Sequence, residues 1–118
     1  REEIEMNVQI FGTKKSFDSK KAERYFKERG IKYQFVDMKE KGLSKGEFNS
    51  VCQAVGGYEK LIDPKCKDKN LLALVQYLSE EDKKEKILEN QKIIRTPIVR
   101  NGKQATVGYE PDVWKDWK

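Results

Sequence analysis

The sequence predicts an α/β fold in the order β-α-β, a helical insert, then β-β-α, with a mixed four-stranded sheet and flanking helices. Three observations predict it. A strand, a glycine turn and a capped helix lead back into a second strand within the first third. The middle third shows helical apolar spacing behind successive capping residues. Asn101-Gly102 then joins two short apolar runs, the strongest short-range hairpin signal.

Residues 4–11 alternate and stop at Gly12, which reads as a strand and its turn. Ser16 caps a helix reaching about Arg29, with Asp18 in its first turn and Ala22, Tyr25 and Phe26 as its apolar stripe. Gly30 stands where a helix C-cap glycine belongs. Residues 31–37 form the second strand, with Tyr33, Phe35 and Asp37 on one face. A strand–helix–strand unit of this length makes the two strands parallel, with a right-handed crossover.

In the insert, Ser44-Lys45-Gly46-Glu47 has the capping-box form. Phe48, Val51, Cys52 and Val55 then recur at helical spacing until Gly56-Gly57. Residues 58–62 are a short apolar piece stopped by Asp63-Pro64, and a lysine-rich loop follows to Asn70. Asn70 is expected to cap a helix burying Leu71, Leu74, Val75 and Leu78. Ser79 starts another helix carrying Ile87 and Leu88. After the hairpin, Gly108 and Pro111 lead into a last helix with Val113, Trp114 and Trp117 on one side. Residues 6–118 thus form a single domain with its insert over about 44–92, and residues 1–5 are an N-terminal extension or processing remnant.

Composition narrows the chemistry. The chain has 118 residues, a net charge of +5 and no histidine. Without histidine there is no Ser-His-Asp or Cys-His dyad and no imidazole metal ligand, and the two cysteines, Cys52 and Cys66, cannot complete a zinc tetrahedron. The lysines are spread among acids rather than gathered into a stripe with aromatics, which argues against direct nucleic-acid binding. No run approaches the ~18 apolar residues of a membrane span. A cytoplasmic monomer with no membrane association, in a reducing compartment, is expected.

One site stands out. Ser16 and Ser19 are spaced as the two cysteines of a C-x-x-C would be, at a helix start. A cysteine there would be activated, because the helix N-terminus stabilises its thiolate. A serine is a helix cap unless a base sits beside it. The free N–H groups of that first turn, with Lys14, Lys15 and Lys20 nearby, make an anion site. Cys52 lies on an apolar stripe and reads as core. Cys66 sits between Lys65 and Lys67 in a polar loop, where it is either an incidental residue or a reactive thiol.

The element order is that of an α/β sandwich of thioredoxin type. Over residues 6–118 the chain resembles the arsenate reductase (ArsC)/Spx family of thioredoxin-fold proteins. Ile10-Phe11-Gly12-Thr13-Lys14-Lys15-Ser16, Ser19-Lys20-Lys21-Ala22, Gly30-Ile31-Lys32-Tyr33 and Arg95-Thr96-Pro97-Ile98-Val99 carry the resemblance. It implies that the positions of Ser16 and Ser19 hold the nucleophilic cysteine and, in Spx-like members, a second cysteine. It implies a basic residue at Lys20, an oxyanion-contacting arginine at Arg95, and a cis Pro97 with Thr96 facing the site. The family's arginine after the leucine pair of the insert is replaced here by Asp63.

Two functions follow as expectations. The leading one is a binding or regulatory module without the catalytic thiol, needing no cofactor and taking glutathione or an oxyanion as ligand. By resemblance to Spx its partner would be the C-terminal domain of the RNA polymerase α-subunit. The alternative is an arsenate reductase or glutathione-linked thiol oxidoreductase.

Overall fold

A computed structural model describes residues 7–117. The start of the first expected strand and the extension over residues 1–5 lie outside the described residues.

The elements follow the expected order. Strand β1 (Val8–Gly12) is followed by helix α1 (Phe17–Glu28) and strand β2 (Tyr33–Asp37). The insert comprises α2 (Lys45–Val55), a 3-10 turn (Tyr58–Leu61), α3 (Lys69–Tyr77), α4 (Glu80–Glu89) and a second 3-10 turn (Gln91–Ile93). Strands β3 (Ile98–Asn101) and β4 (Gln104–Val107) and the short helix α5 (Pro111–Trp114) close the chain. The sheet order is β2-β1-β3-β4. β1 runs parallel to β2, with Ile10 opposite Phe35, and antiparallel to β3, with Phe11 opposite Ile98.

The side-chain period of two divides the core between the faces of the sheet. Val8, Ile10 and Val99 point to one face and meet Ala22, Tyr25 and Phe26 of α1 and Trp114 and Trp117 beyond. Phe11, Val36 and Ile98 point to the other face, beneath Phe48, Val51, Leu61 and Ile93 of the insert. Each large apolar side chain fully removed from water on either face stabilises the fold by about 1.5–3 kcal/mol.

Caps set most helix starts. Ser16 Oγ accepts a hydrogen bond from Ser19 N at 3.2 Å, and Ser44 with Glu47 forms a reciprocal capping box. Gly56 ends α2 with φ of 90°, a conformation that an L side chain rarely adopts.

Four local expectations change. Asp68, not Asn70, caps α3, its Oδ1 accepting from Leu71 N at 3.0 Å. The helix therefore starts earlier and seats Leu71 and Val75, which are one turn apart, while Leu74 is left 45 % exposed. Val113 is 43 % exposed because α5 turns Trp114, not its neighbour, into the core. The hairpin turn is Gly102-Lys103, since Asn101 still pairs with Gln104. Cys66 is buried at 8 % exposure in the insert core, its thiol directed at the Lys92 carbonyl oxygen 4.0 Å away. In that turn Lys65 and Lys67 face water and the residue between them faces inward.

Candidate functional site

The pairing of β1 with β3 builds the site. Because Phe11 lies opposite Ile98, the residues leaving β1 and those entering β3 meet at one end of the sheet. The β1–α1 turn, Gly12 to Ser16, therefore stands beside Thr96-Pro97. The Thr96-Pro97 peptide bond is cis, and the Pro97 carbonyl accepts from Gly108 N at 2.8 Å. A proline entering a strand forfeits no ladder donor, so the sheet tolerates it there.

The turn is closed by its own hydroxyls. Ser16 N donates to the Thr13 carbonyl at 3.2 Å, and Ser16 Oγ caps α1. Ser19 is fully buried, and its Oγ accepts from Thr13 N at 3.3 Å. A Cβ on Gly12 would run into that same Oγ and lie 2.9 Å from Ser19 Cβ, so the turn needs a glycine there. Both serine oxygens thus accept hydrogen bonds that hold the backbone.

A cavity of about 480 Å³ opens beside Thr13 and Thr96; Ser16, Ser19, Arg95 and Pro97 are not on its wall. Thr13 and Thr96 form one side, Met38 and Ile94 are its apolar lining, and Lys39, Lys92 and Asp63 supply its charge. Gln91, also on its wall, holds Leu43 by two hydrogen bonds, accepting from Leu43 N at 2.7 Å and donating to Leu43 O at 2.8 Å. That clamp ties the loop after β2 to the turn before β3.

The structure gathers only part of the expected set. Ser16, Ser19, Thr96 and Pro97 belong to the two segments that meet. Lys14, Lys15 and Lys20 are exposed, and none of them lines the cavity. Arg95 is likewise exposed, its backbone N–H donating to the Leu61 carbonyl at 2.7 Å and its guanidinium beside Gly108. Both thiols lie in the insert core. Burial pushes the Cys52 thiol up, with Lys84 opposing the shift. Lys39 and Lys92 were not singled out by sequence reasoning. They are two among 25 basic residues; the β1–β2 register brings Lys39 to Thr13, with Met38 N donating to the Gly12 carbonyl at 2.8 Å, and the insert returns Lys92 to Thr96.

A mixed sheet of this order, with a strand–turn–helix facing a cis-proline, defines a thioredoxin-fold protein carrying a helical insert. The chain belongs to the ArsC family, whose model matches residues 11–117. Among solved structures, an arsenate reductase from Vibrio cholerae is similar, with 25% identity, a TM-score of 0.80 and coverage of 93% of this chain and 96% of that one. An ArsC family related protein from Bacteroides fragilis shares 18% identity over 98% of this chain and 100% of its own, with a TM-score of 0.83. An arsenate reductase (ArsC) related protein from Brucella melitensis shares 21% identity over 98% of each chain, with a TM-score of 0.64. The last two likenesses concern the fold alone. No curated protein matches the chain. Among the described residues, no helix is long and apolar enough to cross a membrane.

Proposed function

We propose that this ArsC-family protein works in the cytoplasm without the family's thiol chemistry, as a module that binds a small ligand or a partner at the cleft between the β1–α1 turn and Thr96-Pro97. The observation carrying this reading is that Ser16 and Ser19 both act as acceptors within the turn, while the two cysteines lie elsewhere. A serine needs an adjacent base to become a nucleophile, and the chain has no histidine. Nor can a hydroxyl form the mixed disulfide of thiol exchange. Of the two expected ligands, glutathione, an organic carboxylate, suits the cleft better than a bare oxyanion, because the two lysines on its wall come from separated segments.

Arsenate reduction assayed with glutathione and glutaredoxin as thiol donors tests this. The unmodified protein is expected to show no turnover, and Ser16→Cys is expected to gain it. Turnover by the unmodified protein, lost in Cys66→Ser, would instead establish a reductase using Cys66.

A further inference from the structure

We propose that the cavity beside Thr13 and Thr96 takes a small organic carboxylate with an apolar body, held at its charged end by Lys39 and Lys92. This rests on the reading that the cleft is a ligand site. It reassigns the anion-binding groups from Lys14, Lys15 and Lys20 to two lysines far apart in sequence.

The size of the cavity sets the class of ligand. About 480 Å³ falls within the range of pockets for small organic molecules. Met38 and Ile94 can cover an apolar body, and the Thr13 and Thr96 hydroxyls offer neutral hydrogen bonds. A bare tetrahedral oxyanion needs several donors converging on one point. Here the cationic groups belong to two separated segments, and the lining between them is largely neutral.

Both lysines are rooted in fixed backbone. Lys39 N donates to Asp37 Oδ1 at 3.0 Å, at the end of β2. Lys92 follows Gln91, which the Leu43 clamp immobilises. Fixed roots lower the ordering cost of binding. Among the described residues, Asp63 is the one acid on the cavity wall, and its Oδ1 already accepts from Lys65 N at 2.9 Å. Lys92 Nζ lies 3.1 Å from Asp68 Oδ2, but that pair is solvent-accessible, at 62% and 36% side-chain exposure. Exposed pairs are weak, so a ligand carboxylate can share or replace Asp68.

The test is titration of the full chain with phenylacetate, a carboxylate with an apolar body and no thiol, followed by backbone amide shifts and calorimetry; no saturable binding would overturn the proposal. Shifts are expected at Thr13, Lys39, Ile94 and Thr96. Lys39→Gln and Lys92→Gln are each expected to weaken binding about three- to tenfold. Lys14→Gln, Lys15→Gln and Lys20→Gln should change it less than about twofold. Asp68→Asn keeps a good cap on α3 and frees Lys92, so it should tighten binding about twofold.

Unchanged affinity in the Lys39→Gln/Lys92→Gln double variant would overturn the assignment, as would a loss that follows Lys14, Lys15 or Lys20 instead. Inorganic phosphate binding as tightly as the probe would overturn the ligand class. Arsenate turnover by the unmodified protein would sink the thiol-free reading and leave this result standing, because the readout here is binding.

Discussion

Ser19 Oγ receives the Thr13 backbone N–H at 3.3 Å, and this part-buried contact holds the β1–α1 turn against the start of α1. Ser19→Ala removes the acceptor and leaves a Thr13 donor without its partner in a part-buried turn. The expected cost is about 1–2 kcal/mol, the desolvation penalty of an orphaned N–H. Urea unfolding at an unchanged m-value reads it directly. Amide exchange at Thr13 should accelerate in the variant, whereas exchange in β4 follows only the global loss.

Gly12→Ala tests the other side of the same contact. The added methyl would meet Ser19 Oγ and Cβ, and Ser19 is fully enclosed, so the neighbour cannot swing away. Overpacking of this kind costs about 1–3 kcal/mol. In the Gly12→Ala/Ser19→Ala double variant only the Cβ contact remains, so the total loss should fall short of the sum of the single losses. Strict additivity would show that the two residues do not touch.

These paired residues mark how far the sequence could be read. Capping signals act within one turn of helix, so Ser16, Ser44 and Ser79 appear as caps both in the pattern and in the fold. The cap of α3 falls two residues earlier than the sequence suggests. Asp68 and Asn70 are both good caps, and the chain uses the one that also pairs with Lys92 across the insert. Cys66 itself looks exposed because its neighbours are lysines, yet a turn can face one residue inward between two that face out. The cavity was the least visible feature. Thr13 and Thr96 stand in stretches that carry the resemblance, but Lys39 and Lys92 belong to no motif; the β1–β2 register brings Lys39 to Thr13, and the insert's return to β3 brings Lys92 to Thr96.

On the opposite face, Trp114 Nε1 donates to Thr106 Oγ1 at 2.7 Å, with both residues buried. The indole also packs edge-on to Tyr25, with ring centroids 5.1 Å apart. Thr106→Val preserves the side-chain volume but strands the indole N–H, a loss of about 1–3 kcal/mol. Combining it with Trp114→Phe removes donor and acceptor together. The tryptophan substitution should then cost less in the Thr106→Val background than in the unmodified protein, by about 1 kcal/mol. Equal costs in both backgrounds would mean that the hydrogen bond contributes nothing net.

Tyr33 and Glu23 form a pH-sensitive link between β2 and α1. The Tyr33 hydroxyl donates to Glu23 Oε1 at 2.9 Å. Burial first, then this hydrogen bond and the carboxylate's charge, push the phenol up to about 12. Each cause favours the protonated form, so the folded value lies above the unfolded value of about 10. A raised folded value means that the contribution to stability is complete below the unfolded value and fades as pH climbs from about 10 towards about 12. At neutral pH it is therefore fully present. The chain contains five tyrosines, so the titration is read as the difference in phenolate absorbance between the unmodified protein and Tyr33→Phe. That difference should show one phenol ionising near 12. In Glu23→Gln the same transition should move down, because an amide oxygen brings no negative charge. Over the same alkaline range, Tyr33→Phe should lose less stability than the unmodified protein. A difference titration centred on the ordinary phenol value would show that Tyr33 and Glu23 are not joined.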